Sequence, residues 1–236
     1  MANWKELEKQ FAARLTMSRR PVAVTFLDTE PSGIAKFTGT EPASCSFWRL
    51  AAAGRAFYTV PADHFNCAVG AYTHNVQLPP ERVQETETML GMMFNLGYVR
   101  PEEVTGIPRL PKEPAGIVFA PLGDAPVEPS VVLFACRTAS AMLLNEASIR
   151  AGAGGTLPLL GRPTCMALPA AMLHGTVSSL GCIGNRIYTG IAADELYVVV
   201  PGARLESVAE ALAVITTANA ALEEFARGRQ ASLSTV

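Results

Sequence analysis

Four of the five cysteines, Cys45, Cys67, Cys165 and Cys182, are the side chains of this sequence best equipped for chemistry. Four soft thiolates meeting at one point would hold a tetrahedral zinc ion or an iron–sulfur cluster. The spacing is not that of a zinc finger, where a Cys-x-x-Cys turn sets two ligands on one ion; here no two cysteines stand that close. The competing expectation is that each is a small buried hydrophobe. Cys67 and Cys182 weigh against it. Both stand beside glycines in turn-rich stretches, where free backbone N–H groups can point at sulfur. Cys136 ends the apolar run from Val131 to Ala135 and reads as a core residue.

His64 lies three residues before Cys67, and His174 lies between Cys165 and Cys182. Either is a candidate ligand, base or proton donor; His74 has less in its favour. Asp63 either orients the His64 ring or caps a turn. Arg186 follows the Cys182 loop. It would pair with a carboxylate or phosphate, compensate an anionic cluster, or bridge to Asp194 or Glu195. The glycines at 152–155 lack the Gly-Lys-Ser/Thr ending of a phosphate loop, and neither a dinucleotide fingerprint nor a nucleophile elbow is present.

These residues need elements to hold them. Trp4, Leu7, Phe11 and Leu15 recur at steps of three and four and predict a helix over 3–16. Helices are further expected over 45–54, 80–96, 138–150 and 205–225, with Gly54 and Gly97 as stops. Strands are expected over 22–27, 57–60, 116–120, 131–135, 187–191 and 196–200. Met89, Met92 and Met93 read as core packing. Residues 99–114 read as a connection, 151–155 as a flexible loop and 229–236 as a flexible tail. Strands alternating with helices predict an α/β or α+β fold, a mixed sheet with flanking helices, in one globular domain over 1–228.

A repeated unit is visible. Cys45 enters an alanine-rich stretch that leads to Cys67 and Gly70; Cys165 enters another that leads to Cys182 and Gly184. If the halves, joined near 99–114, packed about a pseudo-two-fold axis, the four thiols would converge between them.

Composition narrows the function. Of 236 residues 49% are hydrophobic and 17% charged, enough to bury a core, and the net charge of -2 gives no field for nucleic acid or an anionic membrane. Apolar stretches are interrupted before the roughly 20 residues of a spanning helix. The start has no signal-peptide core, so a cytoplasmic protein is expected.

Three blocks resemble a conserved prokaryotic family catalogued as domain of unknown function 169. They are Arg20–Val24; Cys45 with Asp63–Gly70; and Gly161–Cys165 running on to Ser179–Thr189 and Asp194–Gly202. The resemblance covers about residues 15 to 225. It implies a cytoplasmic protein of a kind frequent in anaerobic bacteria and archaea, with Cys45, Cys67, Cys165, Cys182 and Arg186 in its motifs and Cys136 outside them. It carries no activity.

The leading expectation is a [4Fe-4S] cluster held by Cys45, Cys67, Cys165 and Cys182, with His64, His174 and Arg186 lining an adjoining pocket, and a redox or substrate-activating role of oxidoreductase or lyase type. Zinc or haem are the alternative cofactors. The second expectation is a metal-free thiol enzyme using Cys67 or Cys182 with a histidine base; the third is a haem or small-ligand binding module. Expected partners are a small-molecule substrate or a redox protein, and a second copy through the last helix.

Overall fold

In chain order the elements are helix α1 (Trp4–Ala12), strand β1 (Val22–Leu27), α2 (Ser46–Ala52), β2 (Phe57–Thr59), α3 (Ala68–Thr73), α4 (Pro80–Asn95), α5 (Pro101–Thr105), β3 (Gly116–Pro121), β4 (Val131–Arg137), α6 (Thr138–Arg150), β5 (Leu159–Leu160), α7 (Ala167–His174), β6 (Val177–Ser179), α8 (Ile183–Thr189), β7 (Glu195–Pro201) and α9 (Leu205–Leu233). The computed structural model describes residues 3–154 and 159–233, so Gly155 and residues 234–236 lie outside the described residues.

The seven strands form one mixed sheet in the order β2-β3-β1-β4-β7-β6-β5. All neighbours pair antiparallel except β5 and β6. The central strands are apolar along their whole length because both faces are covered. Alternation sorts their side chains. Val22, Val24, Val131, Leu133, Ala135, Tyr197 and Val199 pack in one layer with α2 and α7. Ala23, Val132, Phe134, Cys136, Val198 and Val200 pack in the other with α1, α6 and the first turns of α9. The period of two thus puts Cys136 on the face opposite Cys45, Cys67 and Cys165, and burial raises its thiol pKa to about 12.

With β5 set aside, the strand order is symmetric about the β1–β4 pair. In the first half β1 is followed by α2, the short β2, the short α3 and then β3, which inserts between β1 and β2. In the second half β4 is followed by α6, the two-residue β5, α7, the short β6, the short α8 and then β7, which inserts between β4 and β6. Each inserted strand ends in a proline, Pro121 or Pro201, and a single 3-10 turn. This pairing puts the join between β3 and β4, later than 99–114, because β3 belongs to the first half's sheet.

Three local expectations differ from the structure. Residues 187–191 are not a strand: α8 occupies Ile183–Thr189 and closes on Gly190 at φ 65°. A helix of two turns was masked by the alternation of Ile187, Thr189 and Ile191. The methionine stripe is not core, since α4 buries no residue and Met92 is exposed. The stretch at 99–114 contains α5. The last helix also runs past Phe225 to Leu233. Residues Gly202–Leu233 are long and apolar enough by length and composition to cross a membrane. Leu205, Val208 and Leu212 in its first turns, however, pack in the core.

Candidate functional site

Each of the four cysteines begins a helical turn. Cys45, Cys67 and Cys182 are the N-cap residues of α2, α3 and α8, and Cys165 lies in the 3-10 turn Thr164–Met166 that enters α7. The halves cross over. α3 packs against the turn at 164–166, and α8 packs against α2. The helix begun by the second cysteine of each half therefore packs on the turn or helix begun by the first cysteine of the other. Cys165 comes within side-chain hydrogen-bonding reach of both Cys67 and Cys45. Cys182 is tied in through its backbone, its N–H donating to Thr164 Oγ1 at 2.5 Å.

The three sulfurs in contact are not equivalent. Cys45 and Cys165 are buried, whereas Cys67 is half-exposed. The Cys67 sulfur accepts the Gly70 N–H at 3.3 Å, with the Cys165 thiol and the Ser44 N–H and hydroxyl beside it. These donors, led by Cys165, outweigh burial and bring the Cys67 pKa down from 9.0 to about 6. Cys165 moves the opposite way: its hydrogen bonds to Cys45 and Cys67, its burial and the neighbouring sulfur charges push its pKa up. The arrangement is one thiolate at the surface backed by protonated thiol.

Ser44 is itself held. Its Oγ lies 2.8 Å from His64 Nδ1, and His64 Nε2 lies 2.9 Å from Thr59 Oγ1. Burial, and then His74, lower the His64 pKa, so the ring is neutral, with one donor and one acceptor nitrogen. If the Ser44 hydroxyl donates to Cys67, Nδ1–H must donate to Ser44 and Nε2 must accept from Thr59. The Thr59 hydroxyl has an alternative acceptor in Ile117 O, but at 3.4 Å. A donor chain runs from Thr59 through His64 and Ser44 to the Cys67 sulfur.

The other expected residues separate from this cluster. His64 touches Ser44 rather than a cysteine. His174 is exposed on the last residue of α7, the end away from Cys165. Arg186 donates to the carbonyls of Leu180, Ala192 and Glu195, so it braces the loops flanking α8. Asp194 pairs with Arg137 instead, at 3.0 Å. Asp63 accepts the Val60 N–H at 2.8 Å and caps a turn. Gly70 plays the part expected of a glycine beside Cys67, but Ser44 and Thr59 were not foreseen. The one signal of Ser44 in sequence is a hydroxyl residue directly before the first cysteine of each half, Ser44-Cys45 and Thr164-Cys165.

His74, at the end of α3, is fully buried with neither ring nitrogen hydrogen-bonded. Burial lowers its pKa from 6.5 to about 4. The unfolded chain therefore binds this proton first as pH falls. Stability is full above 6.5 and drains away down to about 4, by on the order of 3 kcal/mol. Urea midpoints should fall between about pH 7 and about pH 4 and fall less in His74→Phe.

Among the described residues no group of three or more His, Cys, Asp or Glu side chains is disposed to hold a metal ion. The arrangement lends the [4Fe-4S], zinc and haem expectations no support.

A family model described as uncharacterised ArCR, domain of unknown function 169, matches residues 10–211. The chain belongs to this family. An uncharacterized protein of Methanocaldococcus jannaschii, MJ0308, is 26% identical over 182 residues, which cover 73% of this chain and 76% of that protein. No solved structure matches the chain. The family span takes in the cysteines of both halves together with Ser44, His64 and Gly70, and leaves the distal part of α9 outside.

Proposed function

We propose that the protein is a thiol-dependent enzyme in which Cys67, as thiolate, is the nucleophile. The observation that carries this reading is the contrast among three touching sulfurs. Of the three only Cys67 is partly exposed, and its sulfur accepts the Gly70 N–H with Ser44 and Cys165 beside it. A nucleophile that is already ionised needs no base beside it. That accounts for a neutral His64 serving Ser44 rather than taking a proton from sulfur.

The test is a labelling competition. Fully reduced protein is given a limiting amount of iodoacetamide near pH 6, and the modified peptides are mapped. Cys67 should be labelled well ahead of Cys182, the other half-exposed thiol. Equal labelling of the two would sink the proposal. So would iron and sulfide in anaerobically purified protein together with a protected Cys67; that result would favour a four-cysteine metal centre.

A further inference from the structure

The sulfur of Cys67 has three kinds of partner: the Gly70 N–H, the Ser44 backbone and hydroxyl, and the Cys165 thiol. None of these is a carboxyl or an imidazole positioned to protonate a departing group. An amine or alkoxide needs such an acid to leave. A thiolate does not, and it leaves faster the lower its own pKa. The electrophile this site can turn over is one whose leaving group is sulfur.

The second observation is Cys165. It is buried in the same core cluster as Cys45, and Cys67 packs against that cluster, so both other thiols lie beside it. A buried thiol against a surface nucleophile can be used only by an adduct that a thiol can attack. The three sulfurs belong to both halves of the fold, Cys67 and Cys45 to the first and Cys165 to the second, so the contact is a product of the crossed packing of α3 on the turn at 164–166.

Building on the nucleophile reading, we propose that the substrate class is a disulfide, with Cys67 attacking it and Cys165 resolving the adduct. The Cys67 thiolate attacks one sulfur of R–S–S–R, forming the Cys67–S–S–R bond and releasing R–S⁻, which takes a proton from solvent. The Cys165 sulfur then attacks Cys67 Sγ. The Cys67–Cys165 disulfide forms, the bond to R breaks, and the Cys165 proton leaves on the second R–SH. Two protein thiols are oxidised and one disulfide is reduced to two thiols. Attack by Cys45 on Cys165 would move the bond inward to Cys45–Cys165 and return Cys67 as a thiol. A second dithiol or two equivalents of a small thiol would reduce the protein again.

The test uses a chromogenic aromatic disulfide on fully reduced, oxygen-free protein, followed by peptide mapping of the fast phase. The wild-type chain should release about two equivalents of reporter thiolate from the Cys67 reaction, retain no reporter on Cys67, and show a Cys67–Cys165 or Cys45–Cys165 crosslink. Cys165→Ala should release about one equivalent and keep the reporter on Cys67. Wild-type protein that stops at a stable Cys67–reporter adduct would overturn the resolving role while leaving Cys67 as the nucleophile. Failure of Cys67 to react ahead of the other thiols would overturn the nucleophile reading beneath it. Should Cys165→Ala not fold, the wild-type stoichiometry and crosslink decide alone.

Discussion

The rate at which native Cys67 is alkylated should titrate with a midpoint near pH 6 instead of the ordinary thiol value of 9.0. The size of the effect depends on where it is read. Lowering a thiol pKa also lowers its nucleophilicity, with a Brønsted slope of about 0.4–0.5. Near neutral pH the larger thiolate fraction is therefore mostly offset, leaving Cys67 only about fourfold faster than an unperturbed thiol. Near pH 5.5 the ordinary thiol is almost wholly protonated and the advantage grows to about thirtyfold. Above about pH 7.7 the order reverses. A crossing of the two profiles is the signature, and it distinguishes a low pKa from simple exposure. The donors rank the variants: Cys165→Ala removes the largest stabilising partner and should move the midpoint up further than Ser44→Ala. A midpoint near that of a free thiol, unmoved by either change, would show that the hydrogen bonds do not act on the sulfur.

Much of the frame that holds this sulfur was legible in sequence. The apolar runs at 22–27 and 131–137 declare buried strands because their period-two alternation is filled with apolar residues on both faces. The echo between Cys45–Gly70 and Cys165–Gly184 reflects a real correspondence in the sheet, where β3 and β7 insert in the same way. The core placement of Cys136 followed from its position in a strand. What could not be read is what depends on pairs of distant side chains. Ser44 meets His64 and then Cys67 only because α3 folds back over the start of α2. His64 looked like a base because of its distance along the chain from Cys67, a quantity that does not say which way a ring points. Helices as short as α8 carry too few residues for periodicity to outweigh a chance alternation. Arg186 was expected to meet a carboxylate or phosphate but donates to three backbone carbonyls, which leave no trace in a sequence.

Gly70→Ala should be the most damaging conservative change near the site. A Cβ at this position would lie 2.1 Å from Ser44 Oγ, 2.5 Å from Ser44 Cβ and 3.1 Å from Cys67 Sγ. Ser44 cannot retreat cheaply. It is buried, and His64, itself buried, holds its hydroxyl from behind. The methyl group must therefore push α3 away from the start of α2. That separates the Cys67 sulfur from Ser44, while the same methyl crowds the sulfur at 3.1 Å beside its bond from the Gly70 N–H. Overpacking of this kind costs typically about 1–3 kcal/mol, so the fold should survive with a lower urea midpoint. The fast thiol should be lost, because one methyl disturbs two of its three sources of hydrogen bonds. Gly184→Ala is the control. It sits in the corresponding short helix of the second half, and its Cβ would meet only the Tyr188 ring, at 3.6 Å. Adding a methyl there relieves the backbone entropy of a helical glycine and should be neutral or stabilising by up to about 1 kcal/mol, with Cys67 reactivity unchanged. If the two substitutions behaved alike, the close approach of Gly70 to Ser44 would not be what holds the Cys67 sulfur in its ionised form.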